Sequence, residues 1–434
     1  MLISMHKRLG QMFLWSGADR IGQSVLQFLV SILLARLLTP DDFGLMGSVM
    51  LFSAIAYVFV DCGMGKALAR ERGADDRHFT TILLANSALA ILFYAIAYIS
   101  APMIAVAMGI TQLSAIIRIL FLSLFFNALY IVPHTRLQMA FRFDVIAAVN
   151  LLSCAVSVAT AMVAAFNGSG VWALVAQQMT YHASRAVGFN IVAPRWHIAK
   201  PSWNILRETL RFSLPIAFSG LLNAVFSNIY LFVIARFFPL YQAGQYTHAH
   251  KQADTASFSL MAILESTTYN LLASLRHDDE RFSAILGTLL RRANLFMMPV
   301  LVLLAVIARH ACLLLFGEQW LPSVPYFRLL CVAFVPSALS LLITNALNVK
   351  GLSRLTFTLE LLRKFLIALA VVIGIPLGIR ALLWGYVVAA YVGCLIQMIA
   401  LHYRAGYSFR QQIIDIAPAV LLAMSVASLL LVVP

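Results

Sequence analysis

A chain of 434 residues that is 62% hydrophobic and only 11% charged, with a mean hydropathy of +0.89, cannot present a soluble surface. Lipid must be its solvent. The net charge of +14 raises nucleic acid as a partner, but the basic residues are dispersed loop by loop and form no patch, which excludes that reading.

A helix needs about 20 apolar residues to cross a hydrocarbon core of about 30 Å. Thirteen runs meet that need, at 13–37, 45–68, 79–101, 113–132, 145–166, 171–192, 212–237, 243–272, 293–308, 324–347, 355–375, 381–403 and 413–433. They fill nearly the whole chain. The longest connections, around 194–204 and 276–292, leave no room for a catalytic domain on either face.

The first run is too long for a signal-peptide core and contains Asp19 and Arg20, so it is expected to be retained. Its polar residues Ser16, Arg20, Gln23, Gln27 and Ser31 recur every three or four positions, which places them on one helical face. The second run contains Asp61 and the fourth contains Arg118. The seventh carries Ser219, Asn223 and Ser227 at the same spacing as the first run's stripe, and the eighth adds His248, Lys251, Asp254 or Thr255, and Ser259.

An Arg, Lys or Asp at the centre of a spanning helix costs about 2.5–3.5 kcal/mol. Such residues therefore pair, line water or bind something. On one reading Arg20 and Lys251 face a central cavity with Gln23, Gln27, Asn223 and Arg118, and neutralise an anionic head group. Asp19, Asp61 and Asp254 then set the electrostatics or take a coupling ion. On the other reading the charges are salt-bridged neighbours, the amides and hydroxyls hold helices together, and Arg118 snorkels to the interface.

Placing residue n over n + 200 aligns Ala35-Arg36-Leu37-Leu38 with Ala235-Arg236-Phe237-Phe238, and Gly44 with Gly244. Farther on, an offset of 210 aligns Arg118 with Arg328 and Gly168 with Gly378. Six crossings return a chain to its starting side, so the two halves repeat in one orientation. The expected fold is an all-α polytopic membrane protein of two six-helix bundles, 1–205 and 206–405, related by a pseudo-two-fold along the membrane normal, plus a C-terminal helix in 406–434. With the N-terminus in the cytoplasm, 23 of the 31 Lys and Arg, among them Lys7, Arg8, Arg72, Arg185, Arg291, Arg292, Arg363 and Lys364, are counted to loops on that side. The positive-inside rule supports this orientation.

Other chemistry finds little support. There is no G-x-x-x-x-G-K-[ST], H-E-x-x-H or G-x-S-x-G, and Gly63-Met64-Gly65-Lys66 reads as a helix terminus. His248 and His250, two apart, point to different faces of a helix and make a poor metal pair. The five cysteines are odd in number and scattered, and read as buried apolar side chains. Neither metal nor cofactor is expected.

Leu34-Ala35-Arg36-Leu37-Leu38-Thr39-Pro40-Asp41-Asp42-Phe43-Gly44, followed by Phe59-Val60-Asp61-Cys62-Gly63-Met64-Gly65-Lys66-Ala67-Leu68, resembles the polysaccharide transporter branch of the MOP flippase superfamily. Gly244-Gln245-Tyr246 leading into His248-Ala249-His250-Lys251 is similar to that family's repeat of the region, and Gly168 to Leu174 to its sixth-helix entry. The resemblance covers nearly the whole chain and is strongest to Wzx-type exporters of the colanic-acid and exopolysaccharide kind. It implies a flippase that moves undecaprenyl-diphosphate-linked oligosaccharide between leaflets of a bacterial inner membrane by alternating access, and no enzyme. Membrane lipids surround it, and a polysaccharide polymerase and export machinery are the protein partners it allows. A thirteenth run departs from the family's usual twelve or fourteen helices. The alternatives are a cation-coupled small-molecule antiporter of the same superfamily, which wants a more acidic cavity, and a membrane glycosyltransferase or polymerase, which wants a large loop bearing acidic residues.

Overall fold

In the computed structural model the backbone is described for residues 2–71 and 73–432, and side chains for 15, 17, 19–71, 73–257, 268, 269 and 271–428. Lys7, Arg8, Ser16, Arg72 and Ser259 of the sequence reading lie outside the described side chains. Sixteen helices follow one another: α1 (Leu2–Leu37), α2 (Pro40–Asp61), α3 (Met64–Arg70), α4 (Asp76–Met108), α5 (Leu113–Leu120), α6 (Ser123–Met139), α7 (Phe143–Phe166), α8 (Val171–Val192), α9 (Trp203–Phe237), α10 (Leu240–Ser274), α11 (Asp279–Leu315), α12 (Val324–Phe334), α13 (Ser337–Val349), α14 (Ser353–Leu377), α15 (Ile379–Ala405) and α16 (Phe409–Val432). A 3-10 turn, Glu318–Ser323, precedes α12, and there is no strand among the described residues.

Each of the thirteen apolar runs falls on one helix or on a pair of helices in line. Among the described residues ten stretches are long and apolar enough to cross a membrane, which makes the chain a multi-pass, all-α membrane protein. α8 and α14 fall outside that group because polar residues interrupt them, among them Arg185 in α8 and Arg363 and Lys364 in α14. The outward faces carry exposed Ile99, Met103, Val106, Val163 and Phe166, side chains that lipid rather than water solvates.

Helix ends follow local chemistry. Thr39 caps α2 in a reciprocal box with Asp42, and Pro40 occupies the first helical turn, where its missing N–H is harmless. α2 stops where Cys62 (φ 45°) and Gly63 (φ 67°) turn left-handed, and α3 resumes the span. Asp75 caps α4 and Asp278 caps α11.

Two loop readings need correction. The segment 276–292 is no long loop: α11 begins at Asp279 and runs to Leu315, so Arg291 and Arg292 lie on its amphipathic entry turns. Arg185, Arg363 and Lys364 likewise sit inside α8 and α14 rather than in loops. A cation within the inner half of a run is easily counted as loop charge when only sequence distance is read.

Contacts divide the chain into two compact units, Met1–Gly244 and Gln245–Pro434. In the first, α1 packs on α7, α7 on α8, α8 on α6, α4 on α5 and α6, and α9 along α2. This last pairing draws α9 into the first unit, so the packing boundary falls later in the chain than the repeat boundary at 205. Gly44 and Gly244, matched by the 200-residue offset, meet here: a Cβ on Gly244 would fall on the Pro40 carbonyl oxygen, and one on Gly44 on the Leu240 carbonyl. Only glycine admits that approach.

In the second unit α11 packs on α16, α14 on α15, and α12 and α13 against α15. Leu286, Leu290, Ile343, Leu347, Leu401 and Ala419 form its core, so the thirteenth run is a packed member of the unit. The residues matched at offset 210 make the same contact in each unit: Arg118 Nε donates to Tyr98 O (3.5 Å) on α4, and Arg328 Nε to Ala305 O (2.9 Å) on α11.

Candidate functional site

On α1, Gln23 of the polar stripe and the nearby Asp19 are half-buried in the first unit. Asp19 accepts from Gln23 Nε2 (2.7 Å), one turn on, and from Asn150 Nδ2 (2.9 Å) on α7. Gln23 in turn accepts from Tyr181 OH on α8 (2.8 Å). Three helices are thus stitched through one half-buried carboxylate whose partners are amides, not cations. Asp19 is absent from every ion pair among the described residues, so the charge-pairing reading does not hold for it there.

One turn beyond Tyr181, Arg185 continues the network. Its Nη1 donates to Tyr130 OH on α6 (3.1 Å), and its guanidinium lies 4.3 Å from the Tyr130 ring centroid, 5.3 Å from that of Tyr181 and 5.6 Å from that of Phe189. Three aromatic faces take the place of a carboxylate. Arg185 Nε and the neighbouring His182 Nδ1 are buried without a hydrogen-bond partner among the described residues. His182 stacks on Tyr57 (5.0 Å), whose hydroxyl meets Ser123 Oγ at 2.5 Å. Asn150 Oδ1 is a third buried atom left without a partner. Orphaned polar atoms gathered in one interior are where water or a ligand is expected.

Arg20 is exposed on α1 and makes no hydrogen bond or ion pair among the described residues. It lies 17 residues from Leu37, about 26 Å along the helix, and so still within a hydrocarbon thickness of that end. Gln27 is exposed too, whereas Ser31 is buried and donates to Phe28 O in its own helix (2.7 Å), so the stripe stops short of Ser31. On α9, Ser219, Asn223 and Ser227 are all exposed along one face.

The remaining candidates sit elsewhere. Asp61 is half-buried at the end of α2 and accepts from the Gly63 N–H (3.3 Å) across the left-handed break. Arg118 lies over the Tyr98 ring (4.4 Å), tethered to α4 and away from the Asp19 network. Lys251 is half-buried and Asp254 exposed on α10 in the second unit. In that unit Arg363 (2.8 Å) and Lys364 (3.7 Å) both pair with Glu360 on α14. His248 is buried, stacked on Trp320 (4.2 Å) and edge-on to Phe316 (4.5 Å), as a core residue would be. All five cysteines are buried and free, and no cluster among the described residues has the makings of a metal site.

Sequence reasoning found Asp19 and Gln23 but missed Asn150, Tyr130, Tyr181 and Arg185. The signal available was a Gln, Tyr, His and Arg in one run that was otherwise taken as apolar.

A family model described as "Polysaccharide biosynthesis protein" matches residues 33–325. The chain belongs to that family. Among its relatives, the succinoglycan biosynthesis transport protein ExoT of Rhizobium meliloti (strain 1021) is 24% identical over 334 residues, covering 74% of this chain and 67% of that protein. The lipopolysaccharide biosynthesis protein WzxC of Escherichia coli (strain K12) is 22% identical over 408 residues, covering 91% and 81%. Among solved structures, the lipid II flippase MurJ in an inward closed conformation superposes with a TM-score of 0.71 at 12% identity, over 96% of this chain and 98% of that one. This polysaccharide biosynthesis protein therefore has the fold of the MOP flippase superfamily, as the resemblance of its motifs implied.

Proposed function

We propose that the chain carries undecaprenyl-diphosphate-linked oligosaccharide from the cytoplasmic to the periplasmic leaflet of a bacterial inner membrane, by alternating access between lobes at 1–205 and 206–405. It works without chemistry on the sugar, its N-terminus lies in the cytoplasm, and it hands its cargo to a polymerase and export machinery. Family membership and relatives named for polysaccharide biosynthesis, one of them for its transport, support this reading.

The observation that carries it is Arg20: a guanidinium on a spanning helix, exposed and without a counter-ion among the described residues. Desolvating such a cation is costly, and a diphosphate is the anion whose geometry its planar fork matches. Lys251, on α10, is the second cation of the head-group site, with Gln23, Gln27, Asn223 and Arg118 the polar side chains assigned to the same path. Asp19, held by amides alone, is the carboxylate best suited to take a coupling proton or monovalent cation. Asp61 and Asp254 are the remaining candidates.

The test is translocation of a labelled lipid-diphosphate oligosaccharide in proteoliposomes, with Arg20→Ala and Lys251→Ala checked for folding. Loss of at least ten-fold in rate in each variant is expected. Well-folded wild type that flips none of several lipid-linked sugars sinks the reading and favours a small-molecule antiporter.

A further inference from the structure

The first unit has a second polar feature that the diphosphate site does not use. At the end of the unit where α1 and α7 finish and α2 and α8 begin lies a cavity of about 320 Å³, lined by Asp42, Gln112, Ile116, Ser169, Gly170 and Trp172 among others. Its volume is at the lower end of the range for small-molecule sites.

The acceptors and donors in this cavity are spare. Asp42 Oδ2 is occupied by the Thr39 N–H (2.9 Å) and hydroxyl (2.8 Å) of the helix cap, but Oδ1 has no partner among the described residues. The side chains of Gln112 and Ser169 make no hydrogen bond there either. Gly170, at φ +54°, keeps the approach open: a Cβ would stand 2.9 Å from Asp42 Oδ1. Beside these groups the indole of Trp172 is 38% exposed, enough to offer a ring face.

The charge pattern selects the ligand. With a carboxylate in the wall and no Lys or Arg lining it among the described residues, the cavity repels phosphate, sulfate and uronate. An apolar ligand would strand Asp42, Gln112 and Ser169 without partners. A neutral pyranose fits both constraints, since its C–H face stacks on an indole while its hydroxyls give to a carboxylate and exchange with an amide. A tryptophan serving only as an interfacial belt residue explains Trp172 but not the spare acceptors around it.

We propose that this cavity is a subsite for a neutral sugar ring of the transported glycan. The assignment rests on the flippase reading, in which this end of the unit faces the periplasm and meets the glycan as it emerges. Holding a sugar there draws the oligosaccharide forward while the diphosphate is still bound by cations deeper in the membrane.

The experiment is saturation-transfer NMR on the purified full-length protein in detergent, with free neutral gluco- and galacto-trisaccharides and a uronic-acid trisaccharide as probes. At least one neutral trisaccharide should bind saturably and the uronate at least ten-fold more weakly. Trp172→Ala should weaken the neutral ligand at least ten-fold, Gln112→Ala about three-fold, and Trp172→Phe should keep most of the affinity. Absence of neutral-sugar binding by folded wild type, or binding unchanged in Trp172→Ala, overturns the subsite. The proteoliposome assay separates the two ideas: if lipid-linked oligosaccharide is flipped equally by wild type and Trp172→Ala, the subsite fails and the flippase stands. If wild type flips nothing yet binds neutral sugar through Trp172, the flippase reading fails and the cavity stands as a sugar site.

Discussion

The interior of the first unit and α14 of the second solve one problem in opposite ways. Both place charged side chains inside helices that lipid surrounds. In the first unit Asp19 is held by Gln23 and Asn150, and Arg185 by a tyrosine hydroxyl and three aromatic faces, so neither charge meets its opposite among the described residues. On α14, Glu360, Arg363 and Lys364 sit at i, i+3 and i+4, and the one carboxylate pairs with both cations within a single helix turn. Charges paired within one helix can be left alone through a transport cycle. Charges supported only by dipoles remain free to bind a mobile ion, which is why Asp19 is the carboxylate proposed above for coupling.

The largest effect should come from breaking the α14 cluster. Removing one partner of a fully buried ion pair costs about 3–5 kcal/mol; the Glu360 carboxylate is 34% exposed, so Glu360→Ala should cost less, about 2–3 kcal/mol. The expected readout is a fall of several degrees in the unfolding midpoint of detergent-purified protein. The double change Glu360→Ala with Lys364→Met should recover part of it, because the buried ammonium is removed together with the carboxylate it paired with. A midpoint that does not move in the single variant means water reaches the cluster.

A smaller effect, and a sharper test of the contrast, is expected for Asp19→Asn. The amide can accept one of the two hydrogen bonds that the carboxylate accepts, so the stability loss is about 1–2 kcal/mol. Flipping, however, should lose its dependence on the applied proton or cation gradient while Glu360→Gln keeps it. Gradient-dependent transport persisting in a folded Asp19→Asn protein would move coupling away from this carboxylate.

How much of this was legible in the residue order varies with the distance over which the interaction acts. Helical spacing assigned Gln23 to the polar face with Arg20 and Gln27, Asp19 was singled out only as a charge inside an apolar run, and the offset of 210 matched two arginines that make the same contact in each unit. The family motif between residues 34 and 68 pointed to the fold that the MurJ likeness bears out. What could not be read were contacts between distant positions: Gln23 with Tyr181 is separated by 158 residues and Asp19 with Asn150 by 131. The same holds for Ser31, whose place on the stripe is genuine by period but whose hydroxyl turns back to its own backbone. Arg185 and Lys364 were hidden for another reason, since positive charge near the inner end of a run looks like orientation signal until its depth is known.

Outside the membrane the same kinds of group should matter least, and Asp75 shows by how much the bilayer changes the outcome. At the entry to α4 its carboxylate meets His78 Nδ1 (2.7 Å) and the N–H groups of Arg77 and His78 (each 3.1 Å), fully in contact with water. The hydrogen bond to the His78 ring, followed by those to the backbone, holds its carboxyl below the usual aspartate range. A depressed carboxyl contributes stability above its unfolded value of about 3.9 and loses it as pH falls through the lower folded value. Asp75→Asn keeps a good cap and removes this titration, so its unfolding midpoint should match wild type at neutral pH and fall less steeply under acid. If the variant is instead strongly destabilised at neutral pH, exposure has not weakened this carboxylate, and the distinction drawn between lipid-held and water-held charges loses its footing.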